Sequence, residues 1–463
     1  MIILHPAQRK IIESNARFKI IRAGRKAGKT ILEVEDMAFS ATEDKDREIY
    51  YIAPTQVQAR DIIWGMFRRR LAKIGKFNEQ RLEIITPTQK GGSSLIKLAG
   101  WENRENFRGK SAHKLVFDEV DTMRDFFFCW LDIFRPTLLP TRGPASFIGT
   151  PKKENPNLRR LEKEAANDKN YRCFYFTSKD NPYLSREELL ELENEYKDNR
   201  QGYRQEILAE YVDQTGSLFH YDALIDVFSN TITKKGERYL TIDVADDGSD
   251  KTIFSFWEDL EEYRREEYER LNTEMIINKT REYASQDKIP YSHIAVDAIG
   301  VGAGVASSSM LDGIVGYKSS YSAIKTDISP VRLPNVHYLL NAPLVSDYKN
   351  LRSQCVFILA DLVNKHLIAS RVSGRQKENI IEELSTYQDM SKGDGKRMAT
   401  QKEEVRDLIG RSPDASDCWL QRIFFEIKNK MLPRQSEENF EIENRQREQF
   451  LINRQNFKFH STK

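Results

Sequence analysis

The chain is short of cysteine, of long apolar runs and of net charge, and each shortage excludes a class of protein. Four cysteines, Cys129, Cys173, Cys355 and Cys418, are scattered over 463 residues, with no CxxC pair and no zinc-like spacing with the seven histidines. A disulfide scaffold and a structural zinc are thereby excluded, and a reducing compartment is expected. No apolar run reaches the roughly 18–20 residues needed to span a bilayer. The opening residues, MIILHPAQRK, carry no secretory h-region, so a soluble intracellular protein is expected. Charges nearly cancel, 72 basic against 70 acidic for a net +2, and no global field draws the chain to nucleic acid. Contact with DNA would have to come from local patches.

What is present is a globular composition, 39% hydrophobic with 10% aromatic, at a length that suits two or three domains. Short apolar runs alternate with amphipathic segments through the first part: FKIIRA (18–23), EIYYIAP (48–54), RLEIITP (81–87), SLIKLAG (94–100), KLVFDEV (114–120) and ASFIGTP (145–151). That alternation predicts a doubly wound, mostly parallel α/β sheet over residues 1–213. Residues 155–213 read as a polar, helical lid, with Ser185 and Glu188 as a capping box. Residues 214–236, rich in Gly, Ser, Thr and Asn, read as a linker. A second α/β unit spans 237–432, opening on ERYLTIDVADDGSDKTIFSFW, two β-runs with a turn containing Asp246, Asp247 and Asp250. Helices are expected at 343–366, 376–388 and 412–427. The mixed-charge run 257–283 has helical spacing and reads as a solvated helix. The polar tail 433–463 reads as loose or disordered.

GRKAGKT (24–30), directly after the first β-run, places backbone N–H groups and a helix start at one point, which is an anion site. It departs from G-x-x-x-x-G-K-[ST] by having Ala23 at the first glycine. Gly28 lets the backbone approach phosphates, Lys29 reaches β/γ oxygens, and Thr30 can ligate Mg²⁺. Arg25 and Lys26 add cations inside the loop, which suits a triphosphate. KLVFDEVD completes the set: Asp118 and Glu119 end a buried strand at the edge where parallel sheets bind ligands. Asp118 would hold the Mg²⁺ shell and Glu119 would polarise the attacking water, giving ATP hydrolysis. Arg108, in NFRGKS, reads either as an arginine finger for a neighbouring subunit or as an ordinary salt bridge. Gln8, ahead of the first strand, reads either as an adenine-reading amide or as a surface helix residue.

Taken together, Gln8, GRKAGKT, YIAPTQVQA (51–59), FRGKS, LVFDEVD and FIGTP resemble the ATPase of the large terminase subunit, the DNA-packaging motor of tailed phages. The resemblance covers the first 215 residues or so. It implies a P-loop ATPase domain of RecA/ASCE-like fold with a small helical lid. It also implies that Gly149, Thr150 and Pro151 carry a coupling motif, and that Arg108 acts in trans.

A second acidic set is left over. Asp243 ends one strand, Asp297 ends another in a D-x-x-G-x-G context, and Asp417 stands at a helix start in SPDASD. Singly each reads as a turn or cap residue. Together, hard oxygen ligands from separate elements suit a two-metal Mg²⁺ or Mn²⁺ nuclease. Their order resembles the RNase H-like nuclease domain of the same family, which implies Asp243, Asp297 and Asp417 as metal ligands, with Asp414 a second candidate beside Asp417.

The DNA path would draw on Arg68, Arg69 and Arg70, Lys152 and Lys153, Arg159 and Arg160, Arg371, Arg375 and Lys377, and Lys392, Lys396 and Arg397. The favoured stretch is SKGDGKRMATQKEEVRD (391–407). The resemblance implies ATP-driven translocation of double-stranded DNA into a procapsid and metal-dependent endonucleolytic cutting of concatemeric DNA. It also implies a portal ring and a small terminase subunit as partners, and a homo-oligomeric ring of about five on the procapsid with a monomer in solution. The place would be the cytoplasm of an infected bacterium, transiently on the portal and not in the mature virion. A cellular ATP-dependent helicase–nuclease of repair or restriction is the alternative, although no second RecA-like half is evident. A binding module with a nucleotide switch is the third reading.

Overall fold

The run FKIIRA is buried at every residue but Arg22, the pattern of a central parallel strand covered on both faces. A computed structural model of the chain describes residues 3–153, 155–213, 216–245, 251–298, 300–324, 348–391 and 396–428. The chain divides into two units, Met1–Gln214 and Thr215–Lys463.

The first unit is built on eight strands: β1 (Phe18–Ala23), β2 (Glu48–Ala53), β3 (Lys76–Asn78), β4 (Glu83–Pro87), β5 (Ser93–Gly100), β6 (Lys114–Phe117), β7 (Ala145–Gly149) and β8 (Tyr171–Phe176). Their order across the sheet is β3-β4-β5-β2-β6-β7-β1-β8. From β5 to β8 every neighbouring pair is parallel, and only the β3–β4–β5 edge is antiparallel. The expected doubly wound sheet is therefore present. Strand β8 lies inside the stretch read as an all-helical lid. Its core-facing residues, Phe174 and Phe176, are buried while their neighbours are exposed. The polar alternation YRCFYF conceals an edge strand among charged helices.

Beneath β6 and β7 lies an aromatic layer. Phe117 stacks on Phe147 at 5.6 Å and meets Phe134 edge-on at 4.9 Å. Trp101, Phe126 and Trp130 close around the same ring. Phe117 immediately precedes Asp118, so this packing holds the acidic end of β6 in place.

The second unit has six strands: β9 (Arg238–Asp243), β10 (Lys251–Glu258), β11 (Glu261–Glu269), β12 (Ile294–Asp297), β13 (Val315–Tyr317) and β14 (Ala369–Ser370). They are ordered β13-β12-β9-β10-β11-β14. β9, β10 and β11 form an antiparallel meander, while β12 and β13 run parallel to β9. The helix Asp414–Lys428 is buried along nearly its whole length.

Two expectations are corrected here. The run 257–283 is not one solvated helix: β11 occupies its first part and the helix Thr273–Gln286 its second. The charges of β11 misled because two of them face inward as a pair. Glu262 and Arg265 are both fully buried and 2.7 Å apart, with Ser370 Oγ and Trp419 Nε1 donating to Glu262 Oε2. Burying both members of a hydrogen-bonded pair avoids leaving a lone charge in the core. The presumed linker 214–236 is also partly core: Phe219, Leu224 and Val227 pack into the second unit around the helix Tyr221–Asp226. Asp246, Asp247 and Asp250, residues 343–347, Lys392 and the tail from 433 lie outside the described residues.

Phe117→Ala should lower the unfolding free energy by about 3–5 kcal/mol, as a large void opens under the sheet. Denaturant titration of the purified variant checks it, and a loss below about 1 kcal/mol would mean that the aromatic layer is not a tightly packed support.

Candidate active sites

The turn between β1 and the helix Lys29–Glu43 is closed by two residues in the left-handed region, Lys26 at φ 58° and Gly28 at φ 99°. Gly28 takes that conformation without the strain of a side chain. Gly24 is needed for another reason: a Cβ there would lie 2.3 Å from the Ile207 carbonyl oxygen and 2.5 Å from Ser178 Oγ. Lys29 is folded inward. Its ammonium donates to the carbonyls of Ala23 and Gly24 at 3.2 Å and to Thr150 Oγ1 at 2.7 Å, and it lies 3.7 Å from Glu119 Oε1. Since β6 and β7 end beside β1, the acids and Thr150 arrive at the same loop. The Thr150 N–H donates to Glu119 Oε2 at 3.3 Å.

Asp118 is buried and accepts from the Tyr51 hydroxyl. Burial, then the neighbouring Glu119 charge, push its carboxyl up to about 6 against the pull of Tyr51 and Lys29. Glu119 itself has φ 55° and ψ 50°, an uncommon backbone for a non-glycine residue and one that gathers at functional sites. The loop residues, Glu119, Thr150 and Lys152 line a pocket of about 670 Å³. A second pocket of about 380 Å³, walled by Ile3, Ile31 and Tyr183, shares Gly28 and Asn181 with it. A polar cradle beside an apolar slot suits the phosphates and the base of one nucleotide.

In the second unit β9 and β12 run parallel with Val296 opposite Ile242, so Asp297 and Asp243 follow at the same edge. Gly300, at φ 57°, turns the chain after Asp297. A Cβ on Gly302 would come within 1.8 Å of the Asp297 carbonyl oxygen, so the second glycine of the motif is needed for close approach. The third acid is set by helix register. The Gln421 amide accepts from the Ile242 N–H at 3.1 Å and donates to the Ile242 carbonyl at 3.0 Å. Asp417 stands one turn earlier on the same helix.

Burial keeps the Asp243 carboxyl well above the usual range; Lys402 opposes the rise, and Asp414, Asp417 and Asp297 add to it. Asp417 behaves oppositely. Burial raises it, but Arg352 and Lys402 outweigh burial and hold it below the usual carboxylate range. Arg352 Nη1 donates to Asp417 Oδ1 at 2.6 Å, and Lys402 Nζ lies 2.7 Å from Oδ2. Among the described residues no three His, Cys, Asp or Glu groups form a finished metal cluster. The cation among the acids is the Lys402 ammonium. Its place there is a stand-in that marks the acids as a cation-accepting, all-oxygen set, and such a set fits Mg²⁺ or Mn²⁺.

Residues 20–225 match the family model described as terminase large subunit, T4likevirus-type, N-terminal. The chain belongs to the large terminase subunits. Several solved structures resemble this terminase at low identity. The Thermus phage P74-26 large terminase ATPase domain is 23% identical with a TM-score of 0.39, covering 45% of this chain and 94% of that one. A full-length large terminase from a thermophilic bacteriophage is 16% identical with a TM-score of 0.42, covering 92% and 100%. The nuclease domain of the large terminase subunit gp2 of bacterial virus Sf6 is 18% identical with a TM-score of 0.37, covering 45% and 98%. No curated protein matches the chain. No helix among the described residues is long and apolar enough to cross a membrane.

Within this terminase the expected residues meet in two groups: Arg25, Lys26, Gly28, Lys29 and Thr30 line one pocket with Glu119, Asp118 lying beside it, and Asp243, Asp297, Asp414 and Asp417 share one charged neighbourhood. Gln8 is a correction. It is buried, accepts from the His5 N–H at 2.9 Å and donates to the Gly28 carbonyl at 2.8 Å. Both polar ends of its amide are engaged, so it braces the phosphate loop instead of offering an amide to a base. Arg108 pairs with Glu105 at 2.6 Å, is half exposed and lines neither pocket of its own chain.

Many of the basic candidates for a DNA path are paired. Arg68 holds Glu79, Arg70 holds Glu35, Arg159 holds Asp213, Arg160 holds Glu164, and Arg371 holds Glu261. Sequence reasoning missed Tyr51, Arg352 and Lys402. Lys402 was counted into the basic stretch 391–407. Its position opening the helix Lys402–Ile409, just before the SPD motif, was the available signal.

Arg352→Ala would leave Asp417 buried without its partner. A loss of about 3–5 kcal/mol is expected, read by denaturant unfolding, while Arg371→Ala on the exposed Glu261 pair should cost no more than about 1 kcal/mol.

Glu33 gives a pH signature. Burial, then Asp36, push its carboxyl up to about 8, with Lys114 and Lys19 opposing. Between its ordinary value and about 8 the folded state keeps a proton that the unfolded state has released, so stability from this group falls as pH rises through that window. Glu33→Gln should flatten that decline in melting temperature; a slope identical to the parent protein's would contradict it.

Proposed function

We propose that the two units divide the work of a packaging enzyme: ATP-driven translocation of double-stranded DNA by the first, and metal-dependent endonucleolytic cutting of concatemeric DNA by the second. The observation that carries the reading is the convergence of the 24–30 loop, Asp118, Glu119 and Thr150 on one pocket large enough for a triphosphate. Thr30 and Asp118 are the residues that would hold Mg²⁺, which supplies charge neutralisation on the phosphates. Lys29 exchanges its contacts with Thr150 and the loop carbonyls for β/γ oxygens. Glu119, freed from Lys29, polarises the attacking water. Because Thr150 touches both Lys29 and Glu119, its strand end feels the change of occupant, which suits a coupling role for residues 149–151.

In the second unit Asp243, Asp297 and Asp417, with Asp414 beside them, would hold the Mg²⁺ or Mn²⁺ that activates water and steadies the leaving oxygen. Arg352 keeps Asp417 ionised and oriented for that task. Arg108, turned away from its own pocket, acts on a neighbour's γ-phosphate in a ring of about five copies. A portal ring and a small terminase subunit are the partners. The setting is the cytoplasm of an infected bacterium, with the ring seated on the procapsid only while DNA moves and absent from the mature virion.

The two chemistries separate by mutation. Lys29→Ala or Glu119→Ala should reduce ATP turnover by about 10³-fold or more and leave plasmid nicking in Mn²⁺ intact. Asp243→Ala, Asp297→Ala or Asp417→Ala should abolish EDTA-sensitive nicking and leave ATP turnover unchanged. ATPase activity persisting in both of the first pair, or cutting persisting in all of the second set, would sink the corresponding assignment.

A further inference from the structure

Two cations that line the phosphate pocket share a single carboxylate. Glu206 ends the helix Arg200–Glu206. Its Oε1 accepts from Lys152 Nζ at 2.7 Å. Its Oε2 lies 2.6 Å from Arg25 Nε, an ion contact that is not aligned as a hydrogen bond. Arg25 and Lys152 both line the pocket and Glu206 does not, so the carboxylate stands behind the cations. Burial raises its pKa, but Lys152 and Arg25 outweigh burial, and the group is held ionised below its usual range.

The backbone ties the same three elements together. The Arg25 N–H donates to the Glu206 carbonyl at 2.8 Å, and the Ser178 N–H donates to the Ile207 carbonyl at 2.9 Å. Ser178 Oγ donates to the Arg25 carbonyl at 2.6 Å. On the other side, the Lys152 N–H donates to Asp121 Oδ2 at 2.9 Å, only two residues beyond Glu119. One carboxylate thus joins the phosphate loop, the segment after Thr150 and the helix Arg200–Glu206.

We propose that Glu206 is an anionic competitor for the phosphate-binding cations, a residue that sets nucleotide affinity and favours release. This inference rests on the ATP-binding reading of the pocket. A polyphosphate and the Glu206 carboxylate seek the same two charges. Each cation that turns to phosphate leaves Glu206 with one partner fewer, and a partly buried carboxylate stripped of partners is unfavourable. Binding is therefore weaker than the cations at the loop would give by themselves. The opposition grows with the number of phosphate charges that the ligand brings. Occupancy is also felt at the helix Arg200–Glu206, because its last residue loses an anchor.

The test is binding of ATP-γ-S, ADP and AMP, each with Mg²⁺, to the full chain and to Glu206→Gln. The variant should bind ATP-γ-S roughly three- to ten-fold tighter, ADP by a smaller factor and AMP equally. The gain should shrink at about 0.5 M NaCl, where the ion pairs are screened. A merely structural role predicts the opposite sign, since a loosened loop binds less well. Equal or weaker ATP-γ-S binding by a variant that melts like the parent overturns the proposal. If Glu206→Gln does not fold, Glu206→Asp, whose shorter side chain cannot span both cations, should show the same order of gains on a smaller scale; no gain there also overturns it. Lys29→Ala is the separate control: undiminished ATP-γ-S binding by that variant sinks the ATP reading itself, whatever Glu206 does.

Discussion

Carboxylates buried at the ends of buried strands need cations, and both units meet that need with a lysine that the reaction would later displace. In the first unit Lys29 sits against Glu119 and Thr150; in the second Lys402 sits against Asp417 and lowers the strain on Asp243. An isolated buried charge costs several kcal/mol even after relaxation, so neither acid cluster is tolerable without such a partner. The sites are pre-organised by this constraint: the ammonium holds the acids in the shape that a metal-bound substrate requires.

The two units solve the same problem with different scaffolds. The parallel sheet of the first ends β1, β6 and β7 at one edge, which gives a loop, two acids and a hydroxyl without any long-range adjustment. The mixed sheet of the second brings only two acids to one edge and takes the third from a helix. That helix is held in register by a paired amide, Gln421 on Ile242. A slip of one residue along the helix would swing Asp417 by about 100°, which explains why a buried glutamine is kept in an otherwise apolar core.

Charge in this terminase is local. Its surface cations are largely held by acids, so a net charge near zero reflects pairing at close range and not a lack of basic groups. Glu206 extends the pattern to the nucleotide pocket, where an acid behind the cations tempers a site that would otherwise hold polyphosphate too firmly to turn over.

The sequence alone was enough for the phosphate loop, the Asp118–Glu119 strand end and the late aspartates, because each is a local pattern: a glycine turn, a buried run ended by acid, a helix opened by acid. It was also enough for the order of the two units. It misread 257–283, since periodicity takes Glu262 and Arg265 for solvated residues and cannot see that they bury each other. It likewise passed over β8, whose neighbours are polar, and the core residues of 217–232. Only the tertiary structure decided which cation serves which acid. Gln8 turned out to brace the loop, Lys402 to face the aspartates, and Glu206 to hold one lysine and one arginine from distant segments. Those pairings join positions far apart in the chain, and their partners are chosen by the meeting of strand ends, a relation that no local spacing encodes.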